Sequence, residues 1–127
     1  MSQLRSPLSI VKGLGSSKSG TDHWWMQRIT ALALIPLVLW LCFSIASLPG
    51  TDYVTIKAWL SSPVVVTLLI MTIIATFYHA QLGLQVVIED YISNHATRLM
   101  TVIAVNFLCI IFAIIAIISL LKISFGA

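Results

Sequence analysis

Acidic and basic side chains are absent from three long stretches of this chain, Ile29 to Thr51, Ala58 to Ile88 and Leu99 to Leu121. Each meets or exceeds the ~20 residues a helix needs to cross a ~30 Å hydrocarbon core. A helix is the form in which such a segment bonds its own N–H and C=O groups where no water is present. Over 127 residues the chain is 59% hydrophobic and only 9% charged, more apolar surface than a soluble domain of this size can hide. The expected fold class is all-α and integral to the membrane: three transmembrane helices with short connections and a short cytoplasmic N-terminal segment.

The few charges set orientation. Arg5, Lys12, Lys18 and Arg28 precede the first apolar run, and Arg98 lies between the second and third. Lys57 and Lys122 are the only basic residues on the opposite side. The excess of positive charge places the N-terminus and the second connection in the cytoplasm, with the first connection and the C-terminus outside. The net charge of +3 does not point to nucleic acid, because the basic residues are few and sit at membrane boundaries. No cleavable signal peptide is expected, since the first apolar run follows a polar lead and is long enough to span. A short chain without a transit peptide favours a bacterial cytoplasmic (inner) membrane, multi-pass, over a mitochondrial inner membrane. Cys42 and Cys109 fall inside predicted helices without a CxxC spacing or nearby ligands, and read as small packing or lipid-facing residues.

Residues 1–20 are polar and rich in Gly and Ser, and read as a flexible or partner-bound cytoplasmic tail rather than a helix. The run Gly13-Leu14-Gly15-Ser16-Ser17-Lys18-Ser19 lacks the Gly before Lys that a phosphate loop requires, and no strand precedes it. Residues 21–127 read as the three-helix anchor domain, with helices at about 24–48, 62–91 and 96–122. Thr21 or Asp22 can cap the first, Trp24 and Trp25 suit an interfacial belt, and Pro36 is a possible kink. Leu48-Pro49-Gly50-Thr51-Asp52 breaks the chain, Trp59 marks the next interface, and Ser61 or Ser62 before Pro63 starts the second helix. That helix is longer than the hydrocarbon core, so its inner end projects into the headgroup layer before a turn at Ser93-Asn94-His95. There is no internal repeat of the kind that marks an inverted-repeat transporter.

His79 stands within the second uncharged run, where an ionisable ring is costly and functional by default. Asp90-Tyr91 follows eleven positions later, on nearly the same helix face and roughly 16 Å away. Ala75, His79, Gly83 and Asp90 share that face, and small residues a turn on either side of the histidine clear room for a flat group or for another helix. A haem iron takes a neutral imidazole as axial ligand, and a membrane b-type haem can be held by one histidine from each of two helices. This chain offers one histidine at that depth, because His23 and His95 fall at the cytoplasmic boundary. The same histidine also fits a plain hydrogen bond to a Thr or carbonyl between helices. Arg28, Asp90, Tyr91 and Arg98 gather at the cytoplasmic ends of the helices. They suit a quinone ring entering from lipid, with a phenol to bind a carbonyl and a carboxylate to relay protons. They equally suit an Arg28–Asp90 ion pair with Tyr91 as an interfacial anchor.

At these residues the chain resembles the smaller, hydrophobic membrane anchor of succinate dehydrogenase, the succinate:quinone oxidoreductase also called complex II. The resemblance rests on Asp22-His23, Arg28-Ile29-Thr30-Ala31, His79-Ala80 with Gly83, Asp90-Tyr91 and Arg98-Leu99-Met100, and covers most of the chain from about residue 20 onward. The His, ten intervening residues, then Asp-Tyr is its specific part. The His-Arg-x-Thr-Gly element of the larger cytochrome subunit of that complex is absent.

That resemblance implies that His79 is an axial ligand to the iron of haem b, with the partner histidine supplied by the cytochrome subunit. It implies that Asp90 and Tyr91 belong to the ubiquinone site, and that Arg28 lies near the haem propionates or the quinone pocket. It also implies assembly with a flavoprotein subunit that oxidises succinate and an iron-sulfur subunit that passes electrons on. The chain alone cannot oxidise succinate, having neither a dinucleotide fingerprint nor a cysteine cluster. The competing reading is a small noncatalytic three-helix membrane protein, an assembly factor or transporter subunit.

Overall fold

A computed structural model describes residues 6–11 and 18–126, which form five helices: α1 (Pro7–Val11), α2 (Lys18–Ala46), α3 (Tyr53–Leu60), α4 (Pro63–Tyr91) and α5 (His95–Ser124). Three of them are long and apolar enough to span a membrane, over Gly20–Ala46, Pro63–Tyr91 and His95–Ser124. The 29 residues of α4 run about 43 Å at the helical rise. Its ends therefore extend past the hydrocarbon layer unless the helix tilts strongly.

Local residue chemistry explains where α4 and α5 begin. Pro63 occupies the first turn of α4 behind Ser62, where its missing N–H costs nothing, although the Ser62 hydroxyl makes no capping bond. Asn94 caps α5 by accepting from the Thr97 N–H at 3.2 Å. α2 departs from expectation: it begins at Lys18, so Thr21 and Asp22 lie inside the helix instead of capping it. Neither residue forbids helical dihedrals, and extending a helix that is already nucleated costs only tenths of a kcal/mol per residue. Pro7–Val11 is likewise helical within a stretch expected to be a tail, while the Gly- and Ser-rich residues 12–17 lie outside the described residues. α2 runs through Pro36 without interruption.

α4 is the central element. It packs against α2 on one side and α5 on the other, and no Cα of α2 lies within 8 Å of one in α5 among the described residues. The three long helices thus stand in a row, and few side chains are buried. α4 buries Val66, Thr72, Leu82 and Ile88, while α5 buries Leu120 alone. The remaining apolar surface, including Phe43, Phe107 and Ile118, faces outward, the inside-out economy of a chain whose solvent is lipid.

The short helix α3 departs from the sequence reading, which has only a connection at this point. Ile56, Trp59 and Leu60 pack with Val66, Leu69 and Ile70 of α4 and with Leu120 and Leu121 of α5. Trp59 stacks on Trp40 of α2 with ring centroids 6.3 Å apart, and the Ser124 hydroxyl donates to the Leu60 carbonyl. α3 therefore touches all three long helices at one end of the row.

Asp52 starts α3. Its carboxylate accepts from the Thr55 hydroxyl at 2.7 Å and from the Thr55 N–H at 3.2 Å, and these bonds hold its pKa below the usual carboxylate value. A group with a lowered folded-state pKa stabilises above its unfolded pKa, and that contribution is lost as pH falls through the folded value. Asp52→Ala is expected to speed amide exchange at Thr55 and Ile56 while leaving the middle of α4 protected. Acidifying the unmodified protein should do the same after correction for intrinsic exchange rates; hydrogen–deuterium exchange mass spectrometry measures both.

Candidate functional site

Two polar stripes face each other across the α2–α4 seam. On α2, His23, Gln27 and Thr30 recur at helical spacing, and on α4 the matching face carries His79 and Gly83. Thr30 is only 6% exposed and its hydroxyl lies 2.9 Å from His79 Nδ1. The same hydroxyl stands 2.8 Å from the Met26 carbonyl and 3.0 Å from that of Gln27, both on its own helix. The interhelical bond to a threonine, one of the readings open for His79 in the sequence, is thus formed. It occupies one ring nitrogen only. Among the described residues Nε2 has no hydrogen-bond partner, and it is not among the buried unpartnered atoms, so it keeps some accessible surface.

Close approach of the helices makes this contact possible. A β-carbon added at Gly83 would stand 3.6 Å from Gln27 Nε2, ordinary contact distance, so a methyl group fits there. Leu82 beside it is 5% exposed, the least exposed apolar residue of the core.

Toward the start of α2 the seam opens into a groove of about 470 Å³, lined by His23, Trp24, Gln27, Arg28, Gly83 and Val86, with Gly20 at its edge. The Arg28 guanidinium carbon sits 3.7 Å over the Trp24 ring, a cation–π contact, and Trp24 meets Trp25 edge-on at 5.1 Å. Among the described residues Arg28 has no carboxylate partner, so the alternative of an Arg28–Asp90 ion pair is not formed. His23 Nε2 and Gln27 Oε1 are buried without a hydrogen-bond partner. An unsatisfied buried polar atom costs about 1–3 kcal/mol, so these two atoms mark unmet hydrogen-bonding demand beside the groove.

Asp90 and Tyr91 close the same end of α4. Both are exposed, Tyr91 at 86%, and neither lines the groove. Arg98 goes elsewhere. Its Nη2 is 3.3 Å from His95 Nδ1, and the two line a separate groove of about 450 Å³ between α4 and α5 with Gln85, Glu89, Leu99 and Val102. The polar residues that the sequence gathers at one end are thus divided by α4, Arg28 on its α2 side and Arg98 on its α5 side. Among the described residues no group of three or more His, Cys, Asp or Glu side chains is arranged to hold a bare metal ion. Cys42 is exposed, and Cys109 lines an apolar groove between α4 and α5.

The sequence motifs assign no role in this site to Thr30, Gln27 or Trp24. A signal for the first two is present all the same: with His23 they form a polar stripe at intervals of four and three along one helix face. The Trp24–Arg28 contact follows from the i, i+4 relation and needs no tertiary partner.

The family described as succinate dehydrogenase/fumarate reductase transmembrane subunit matches residues 2–115. The succinate dehydrogenase hydrophobic membrane anchor subunit of Rickettsia conorii is 40% identical over 102 residues, covering 80% of this chain and 81% of that one. Its counterpart in Rickettsia bellii is 42% identical over 108 residues, 84% and 86% of the two chains. The protein of the same name from Paracoccus denitrificans is 25% identical over 102 residues, 80% and 79% of the two. No solved structure gives a significant match.

The α2–α4 seam is tested at Gly83. Gly83→Ala should be accommodated, whereas Gly83→Leu should push Gln27 away and destabilise the pair by about 1–3 kcal/mol, the usual cost of overpacking. Unfolding in mild detergent, followed by loss of helical circular dichroism, distinguishes the two variants.

Proposed function

The chain belongs to the succinate dehydrogenase/fumarate reductase transmembrane-subunit family as a membrane anchor subunit of succinate dehydrogenase, and we propose that its α2–α4 side completes a haem b site and a ubiquinone site with partner subunits. The observation that carries this reading is His79, whose Nδ1 is held by Thr30 while Nε2 has no partner among the described residues and keeps some accessible surface. A structural histidine in a membrane helix is expected to occupy both nitrogens or to turn the second into a polar pocket of its own chain. A free, oriented nitrogen fits the axial position of a haem whose other ligand comes from the cytochrome subunit. Haem b, when bound, would supply a one-electron carrier.

Arg28 suits the propionate or quinone side of the same site. A guanidinium without a carboxylate partner, beside a His23 Nε2 that lacks a bond of its own among the described residues, matches a ligand bearing oxygens. Tyr91 and Asp90 take the quinone role. A phenol donates a hydrogen bond to a quinone oxygen, and an exposed carboxylate exchanges protons with water as the quinone takes up two electrons and two protons. Among the described residues, both side chains stand free of intrachain bonds at the end of α4, open to a partner surface.

The soluble half of the reaction lies outside this chain. A flavoprotein subunit would oxidise succinate and an iron-sulfur subunit would pass electrons on, since no residues here serve either chemistry. With the N-terminus cytoplasmic, as the basic residues imply, Asp90 and Tyr91 face the side on which those proteins dock. The Rickettsia and Paracoccus relatives suit a bacterial cytoplasmic membrane.

The purified complex should show a dithionite-reduced haem b spectrum that His79→Ala abolishes or grossly perturbs. A complex without haem removes the ligand assignment. Tyr91→Phe should lower ubiquinone reduction by roughly tenfold or more while sparing succinate oxidation by a soluble artificial acceptor. Equal retention of both activities overturns the role of Tyr91.

A further inference from the structure

We propose that Thr30 is the positioning residue that fixes the tautomer and direction of the His79 ring, leaving Nε2 as the only nitrogen able to bind iron; this rests on the haem reading above. A threonine hydroxyl carries one hydrogen. Thr30 Oγ1 lies 2.8 Å from the Met26 carbonyl and 3.0 Å from the Gln27 carbonyl, and carbonyls only accept. The hydroxyl hydrogen is therefore directed back onto α2. Toward His79 Nδ1, at 2.9 Å, the oxygen is left to accept, so the ring proton resides on Nδ1. A neutral imidazole has one such proton, and Nε2 keeps its lone pair.

The reverse arrangement is unfavourable. If Thr30 donated to Nδ1, the proton would sit on Nε2, which has no acceptor among the described residues. That form cannot ligate. Burial makes the choice durable, because Thr30 is 6% exposed and no water competes for its oxygen. The bond also fixes the ring plane, since rotation about the side chain would break the one contact that Nδ1 has.

A second consequence concerns electronics. An acceptor on Nδ1–H raises the basicity of the ligating nitrogen and favours the oxidised metal, as partners of metal-bound histidines do generally. A hydroxyl already committed as a donor is a weaker acceptor than a carboxylate. The ligand therefore remains a neutral imidazole with modest donation, and removing the acceptor should move the haem midpoint potential upward.

The test uses the assembled complex with Thr30→Val, which keeps the shape and removes the oxygen, beside Thr30→Ser, which restores it. Thr30→Val should raise the haem b midpoint potential, alter the low-spin electron paramagnetic resonance spectrum and weaken haem retention by about 10–100-fold, the range seen when such partners are removed. Thr30→Ser should return all three toward the unmodified values. If valine blocks assembly, Thr30→Ala leaves space instead of a clash and carries the same expectation. Unchanged potential, spectrum and retention in Thr30→Val or Thr30→Ala overturn the inference. They leave the haem reading intact so long as His79→Ala still loses the haem, whereas a haem-free unmodified complex overturns both.

Discussion

Inside hydrocarbon a polar atom cannot fall back on solvent, so each one must find a partner within the protein or be left for another molecule. The α2–α4 seam divides along that line. Thr30 satisfies itself on its own helix and still binds His79, so this pair is closed on one side. His79 Nε2, His23 Nε2, Gln27 Oε1 and the Arg28 guanidinium are not paired with polar groups of this chain among the described residues. All four belong to the seam and its groove; Asn106 Oδ1, on α5, is a buried unpartnered atom away from it. A chain that meets its backbone demands so fully through helices has gathered most of its unmet side-chain demands in one place.

The row arrangement makes that concentration useful. Because α4 separates α2 from α5, neither outer helix closes over the other, and both flanks of α4 remain open. A compact three-helix bundle would have turned the His79 face into a core. Here the seam is an edge, and a partner helix can approach Nε2 from outside. On the proposed reading the missing histidine is a consequence of this geometry: an edge site built by one chain supplies one axial ligand, and the second comes from across the interface.

Much of this is legible in the sequence because membrane helices announce themselves by length and lack of charge. The ends of α4 at Pro63 and Tyr91 follow from a Ser-Pro start and from the first carboxylates after the apolar run. The start of α2 does not follow, since Thr21 and Asp22 are good caps in isolation, and only the continuing helix decides whether they are used as such. α3 escapes a reading of the sequence because eight residues give too short a periodic signal, and its stability comes from Trp40, Val66 and Leu120 on other helices. For the site, the face shared by His79 and Gly83 is readable from spacing, but the choice between a threonine bond and an open nitrogen is not. Both are true of the same ring, a result that one-dimensional spacing cannot express because it does not distinguish Nδ1 from Nε2. The separation of Arg28 from Arg98 is equally hidden, since it depends on which flank of α4 each neighbouring helix occupies.

α3 gives the row a mechanical asymmetry. Through the stacked Trp40 and Trp59 rings, its packing on Val66 and Leu120, and the Ser124 bond to Leu60, it fastens all three long helices at one end. Among the described residues no comparable strap joins them at the other, where Arg28, Asp90 and Tyr91 stand. α2 is therefore pinned twice, by apolar stacking at Trp40 and by the Thr30–His79 bond two residues from Arg28, so it cannot swing about either point alone.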